Sequence, residues 1–335
     1  MRPRACRIAL SIIIACGLAC GTALAQTVTM KLSTSTSGDA INEWMRILKQ
    51  GVESRAAGKM KVEIYPASQL GSIPRTIEGV ALGTIELSMN ASGFYESLEP
   101  RFSVFAAPGL FDDIYHANRI LGDPDIKKRL ATFGATKGVE ALSMFTPSSY
   151  AILSHKPITT LADLKGQKIR VPGSPLQTEA LKRLGASPLS MAFGEVLPAL
   201  QNRTIDAVWA VIPLFNALKF YDIAKTATNL PASWAVVVGL VNRNFMKSLG
   251  PQLEAIVRDE AGKADAAVLP WAAEEIARSS KAWAQHGGKE INLSAADAKR
   301  FLDESIAATT PLLTSTPQQK EDYQALDAAA RKYRK

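Results

Sequence analysis

The chain has 335 residues, 47 % of them hydrophobic and 21 % charged, with 39 basic against 31 acidic side chains. That length supplies one or two ordinary hydrophobic cores. The formal charge of +8 is spread in single residues, which suits a soluble surface with a mild pull on anions and excludes the concentrated basic face that nucleic-acid binding needs.

The N-terminus reads as a secretory signal. A basic head with Arg2, Arg4 and Arg7 leads into an uncharged apolar run over 8–20, then the small-residue exit Ala23-Leu24-Ala25. Cleavage is expected after Ala25, and a periplasmic location follows. Residues 8–30 are long enough for a membrane anchor, but Gly21, Thr22, Gln26, Thr27 and Thr29 make the second half too polar. A lipoprotein signal would use Cys20, yet Gly17 stands where such a signal wants leucine. All three cysteines (Cys6, Cys16 and Cys20) fall within the signal, so the mature chain is expected to hold no disulfide, thiolate metal site or cysteine nucleophile. Removing the three signal arginines takes the charge from +8 to +5. No later segment is apolar enough to span a membrane, and the basic end at 331–335 reads as a solvated helix tail.

Residues 27–33 alternate as a strand. Ile41, Trp44, Met45, Leu48 and Val52 recur at helical spacing, with Asp39 placed to cap the helix and Gly58 to end it. Met60, Val62 and Ile64 alternate with Lys61, Glu63 and Tyr65 as a second strand. A helix over 74–82 has Pro74 at its permissive first turn, and 83–89 is a third strand. The same βαβαβ order returns later: strand 167–171, helix 177–184 ending at Gly185, strand 187–191, helix 195–202, strand 204–209. Even the closing turns correspond, LGTIELSM at 82–89 and NRTIDAVW at 202–209. Two copies of so long a unit read as two similar α/β lobes, not a solenoid. Residues 250–287 read as one long helix, bent just before Pro270 and long enough to brace both lobes. A helix over 292–311 capped by Ser294 and a helical tail from 316 complete the chain.

In open parallel sheets, ligands gather beyond the carboxyl ends of the strands. Those loops are 33–38, 69–72 and 90–94 in the first lobe, and 170–174, 193–194 and 210–215 in the second. Facing lobes would bring them to one cleft. The chemistry of catalysis is missing from the pattern. There is no phosphate-cradling glycine loop and no G-x-S-x-G, and His116, His155 and His286 are far apart, without H-x-x-x-H spacing. Carboxylates fall mostly at helical spacing on polar faces. The expectation is a binding protein with no metal and no cofactor.

Five stretches carry a family resemblance: KVEIYPASQLG at 61–71, IEGVALGTIE at 77–86, PGLF at 108–111, KPITTLADLKGQKIRVP at 156–172 and MAFGEVLPALQ at 191–201, which leads into TIDA at 204–207. In this order and spacing the chain resembles the solute-binding, DctP-type subunit of tripartite ATP-independent periplasmic (TRAP) transporters. The resemblance covers nearly the whole mature chain. It implies a two-lobed periplasmic binding protein of type II-like α/β fold, each lobe a mixed sheet flanked by helices, with a long bracing helix. Residues 26–147 with 236–275 would form the first lobe, and 148–235 with 276–335 the second. It further implies capture of a small carboxylate by lobe closure and delivery to a membrane permease driven by an ion gradient.

The family's signature arginine, in the K-x-R-V-P strand, matches Arg170, which would clamp a ligand carboxylate. A guanidinium offers a planar fork of donors and stays charged when dehydrated. Two positions depart from the pattern. Where sugar-acid-binding members carry a second arginine, Tyr150 stands here; where many members have an asparagine, Ala210 follows Trp209. These changes argue against a heavily hydroxylated sugar acid and for a smaller or less polar monocarboxylate, its body on Trp209 or Tyr150. Trp209 serves either this cleft or the core. Asn90 and Ser92 are candidate hydrogen-bonding groups, and Phe94, Tyr95, Phe105 and Phe215 candidates for the cleft wall. Two rival readings remain: a binding protein serving an ABC importer or a sensor, which neighbouring genes would distinguish, and an exported enzyme on the same fold, which turnover of a bound acid would reveal.

Overall fold

Period-two and helical patterning fold locally as their spacing requires. A computed structural model describes residues 27–334; the signal-peptide reading of 1–25 lies outside them. The chain begins β1 (Val28–Ser33), α1 (Ala40–Arg55), β2 (Met60–Tyr65), α2 (Ile73–Leu82), β3 (Leu87–Ala91). Asp39 caps α1 by accepting from the backbone N–H of Asn42 at 3.1 Å. The apolar face of α1, including Trp44, Leu48 and Val52, is buried.

The elements that follow are α3 (Ile114–Gly122), α4 (Pro124–Leu130), β4 (Val139–Ser154), β5 (Lys168–Val171), α5 (Pro175–Arg183), β6 (Ser187–Ser190), α6 (Phe193–Gln201) and β7 (Ala207–Ala210). Then come α7 (Ile212–Ala217), β8 (Thr226–Asn242), α8 (Arg243–Ser248), α9 (Gly250–Gln285), β9 (Lys289–Asn292), α10 (Ala295–Leu313) and α11 (Pro317–Tyr333).

The corresponding turns before β3 and β7 are one structure built twice. Both strands start later than their alternation suggests, because the residues ahead of them close the preceding helix. The amides of Thr84 and Ile85 both donate to the Gly79 carbonyl, and those of Thr204 and Ile205 both donate to the Ala199 carbonyl. The acids one step on also match. Glu86 accepts from the Lys31 N–H of β1, and Asp206 from the Lys168 N–H of β5, each at 2.8 Å.

The strands form one sheet in the order β2-β1-β3-β8-β4-β7-β5-β6, with β9 on β8. Neighbours are parallel in β2-β1-β3 and in β6-β5-β7. Between these trios run β4 and β8, of 16 and 17 residues, antiparallel to each other from Val139 opposite Asn242 to Ser154 opposite Thr226. β3 joins the late part of β8, with Leu87 opposite Val241, and β7 joins the late part of β4, with Ala151 opposite Ala210. Each long strand therefore serves both halves. Their ladder slips register between Ala141 and Ser143, between Phe145 and Ser148, and between Ser149 and Ala151. Each half has its own apolar clusters, around Phe102 and Trp44 in the first and around Ile169 and Leu200 in the second.

The 36-residue α9 continues through Pro270 as one helix, about 54 Å long at 1.5 Å per residue. It packs on α1 in the first half and α7 in the second. Residues 276–335 do not all pack in one place: α10 lies against α5 and β8, and α11 lies elsewhere. It packs against α3 and α4, held there by Asp322, which accepts from Arg101 at 2.6 and 3.0 Å and from Arg129 at 2.9 Å.

Candidate functional site

An open cleft, ≈ 820 Å³ with its solvent-filled mouth included, lies where the two halves meet. The loops at 33–38, 90–94, 170–174, 193–194 and 210–215 all contribute to its lining, while 69–72 does not. The strand-end geometry of both parallel trios places them there.

Arg170 closes the inner end from β5. It is 2 % exposed and makes no ion pair with any described residue. Its Nε–H and Nη2–H donate to the Met191 carbonyl at 3.1 and 3.0 Å, and an Nη1–H donates to the Trp209 carbonyl at 3.4 Å. These bonds fix the guanidinium plane and leave donors to spare. The rings of Phe94 and Phe193 stand 5.9 and 5.6 Å from its centre. Burial pulls the guanidinium down to about 10, with Tyr150 opposing, so it stays charged at neutral pH. The site therefore holds a buried, oriented cation with no carboxylate in contact with it among the described residues, which is the arrangement that recognises an anion.

Tyr150 and Trp209 form the adjoining wall, their rings edge to face at 5.7 Å. Burial pushes the Tyr150 hydroxyl up to about 12, so it is a neutral phenol. Ala210 lines the cleft beside them, and its small side chain leaves the space open. Asn90 and Phe94 also line it; the Asn90 amide donates to Ser88 Oγ at 2.9 Å.

Other candidates lie elsewhere. Ser92 is buried in its 3₁₀ turn and is not among the lining residues. Phe215 is packed in the second-half core against Phe220 and Trp283, and does not reach the cleft. Tyr95 and Phe105 stack with Phe102 in the first-half core, and the Tyr95 hydroxyl donates to the Ser88 carbonyl at 2.7 Å. Each histidine has a structural role: ring nitrogens of His116 and His155 meet the carbonyls of Ala330 and Leu200, and His286 stacks on Tyr221.

Sequence reasoning missed the wall supplied by β4 and β8, with Pro147, Ser148, Ala235 and Val237, because it did not find those strands. The one available signal was Pro147 inside an apolar run, since proline in a sheet marks an edge or a bulge. It also missed Asp39 and Glu275, which meet at the start of α1. Burial, then the neighbouring Asp39 charge, raises the Glu275 carboxyl to about 8.

No helix among the described residues is long and apolar enough to cross a membrane. The 2,3-diketo-L-gulonate-binding periplasmic protein of Escherichia coli is 31 % identical over 214 residues, which are 64 % of this chain and 65 % of that protein. The chain thus spans just under two thirds of that relative's length. A solute-binding protein of Verminephrobacter eiseniae is 31 % identical over 235 residues, 68 % of each chain. The crystal structure of a TRAP periplasmic solute-binding protein from Desulfovibrio salexigens, with bound orotic acid, superposes with a TM-score of 0.88 at 24 % identity. The superposition covers 92 % of this chain and 100 % of that one, so the two-lobed fold is shared. The sequence pattern of bacterial extracellular solute-binding protein family 7 runs from residue 33 to residue 312, and the chain belongs to that family.

Proposed function

We propose that the mature chain captures a small organic acid outside the cytoplasm by closing its lobes, and hands it unchanged to a TRAP-type membrane permease. Arg170 carries the reading. A cation this buried, held in plane by two carbonyls and lacking any carboxylate partner among the described residues, is completed by a ligand carboxylate. Export would follow from the signal, cleaved after Ala25, and would place the protein in the periplasm. The lobes would be 26–147 with 236–275 and 148–235 with the later residues as far as α10, α11 lying on the first.

The rest of the lining favours a monocarboxylate with a flat or branched apolar body. Phe94, Phe193, Trp209 and Leu214 supply it with apolar surface, and Arg170 is the one basic side chain of the lining. A relative named for binding 2,3-diketo-L-gulonate and a structural neighbour with bound orotic acid support an acid as the ligand, and Tyr150 in place of a second arginine argues against a heavily hydroxylated one. The test is a thermal-shift screen of the mature protein against carboxylic acids. A ligand at about 100 times its Kd adds roughly 2.7 kcal/mol and moves the melting point by several degrees. Shifts confined to non-acids would refute the reading.

A further inference from the structure

Behind the Tyr150–Trp209 wall lies a second, smaller pocket with room for about one water-sized group, and these two side chains line both pockets. Its walls are mixed, with Phe105, Leu176 and Phe301 on the apolar side and Tyr150, Gln177 and Ser305 among the polar residues. Three of its lining residues hold buried polar atoms with no partner among the described residues: Gln177 Oε1, Trp209 Nε1 and Ser305 Oγ. The residues are 5 %, 4 % and 1 % exposed. They come from three separate elements, α5, β7 and α10. The set combines an acceptor, a donor and a hydroxyl that does both. Buried polar groups are as a rule satisfied, by protein or by something held between them.

We propose that this cavity is an inner polar subsite that takes a neutral O–H group, supplied by the far end of the ligand or by ordered water. The proposal rests on the acid-binding reading and narrows it. An O–H donates to Gln177 Oε1 and accepts from the indole N–H, with Ser305 turning to suit. A second carboxylate does not fit: it has no proton for Gln177 Oε1, and no basic side chain lines the cavity to receive its charge. The inner pocket thus receives a hydroxyl and rejects a second carboxylate.

Two measurements on the mature protein test this. Calorimetry compares phenylacetate with 4-hydroxyphenylacetate in wild type, Gln177→Leu and the milder Ser305→Ala. A high-resolution crystal structure without added acid reads the cavity directly. A ligand hydroxyl as occupant gives a preference of about tenfold or more for the hydroxylated acid, the worth of one good hydrogen bond, lost in both variants. Water as occupant gives equal affinities and an ordered water on all three atoms. A dry cavity with no hydroxyl preference overturns the proposal, as does a preference that survives both substitutions. If neither acid binds, the crystallographic result alone decides, so failure of the acid-binding reading is distinguishable from failure of the subsite.

Discussion

Arg170→Lys is the most direct test of the carboxylate clamp. In the wild type, the Met191 carbonyl takes two guanidinium donors and the Trp209 carbonyl a third, so the remaining donors face the cleft in a fixed plane. Lysine keeps the charge but offers it as a compact ammonium on a flexible stem. It forfeits at least one charge-assisted hydrogen bond to the ligand, roughly 1.5–3 kcal/mol. It also loses the carbonyl scaffold that aims the fork, so a total of about 2–4 kcal/mol is expected. That corresponds to affinity weaker by roughly 30- to 1000-fold. The assay is titration calorimetry with any acid that raises the wild-type melting point, alongside melting of both proteins without acid to separate lost binding from damaged folding. A variant that folds normally and binds within threefold of wild type refutes the clamp.

Trp209→Ala should weaken an aromatic acid roughly two- to tenfold more than a small aliphatic one, since an aromatic pair contributes roughly 0.5–1.5 kcal/mol beyond its buried area; equal losses, read by calorimetry, would remove Trp209 from ligand contact. Glu96 is buried with neither oxygen partnered, and burial pushes its carboxyl up to about 8, the Ser174 hydroxyl only partly opposing. A raised carboxyl stabilises the fold fully below its ordinary value of 4.5 and ceases to do so as pH rises through 8. Wild-type stability should therefore fall between pH 5 and 8, by up to roughly 1.4 kcal/mol per pH unit from this group, and Glu96→Gln should flatten the profile; an unchanged slope in denaturant titrations would contradict this. Asp322 is fully buried between Arg101 and Arg129. Asp322→Asn should cost about 3–5 kcal/mol in urea unfolding, because it strands two guanidinium groups, and a loss below about 1 kcal/mol would show that α11 is held by its apolar face alone.

Much of the fold was readable because the same βαβαβ order occurs twice, its short strands set off by helix-ending turns. The TIE and TID turns rhyme in the letters because the same pair of amides closes the same helix end in both halves. β4 and β8 were not readable. Both are covered on both faces for most of their length, so their sequence shows a buried run and no period of two. The site divided along the same line. Loops beyond the parallel strands could be named in advance, while Pro147, Ala235 and Glu275 come from elements whose positions only the tertiary fold defines. An arginine at a strand end reads as exposed by composition. The motif singled out Arg170, and only the packing around it accounts for its burial. Phe215 packs in the second-half core, and an aromatic near a strand end carries no mark of the side on which it lies.

The slipped ladder between β4 and β8 has a mechanical consequence. The chain crosses between halves on β4, β8 and α9, and again where α10 leads into α11; the two strand crossings share their irregular stretch, where Pro147 offers no amide to the ladder. Rotation concentrated there ruptures no regular pairing, while the ladders on either side move as stiff plates. The α9 crossing, a helix stiff along its length, restrains sliding and leaves a single compliant axis. Amide protons at 145–149 should exchange with solvent well before those of the flanking ladders. Speed of capture and release would then be a property of five residues in mid-strand, adjustable by mutation without touching the groups that hold the acid.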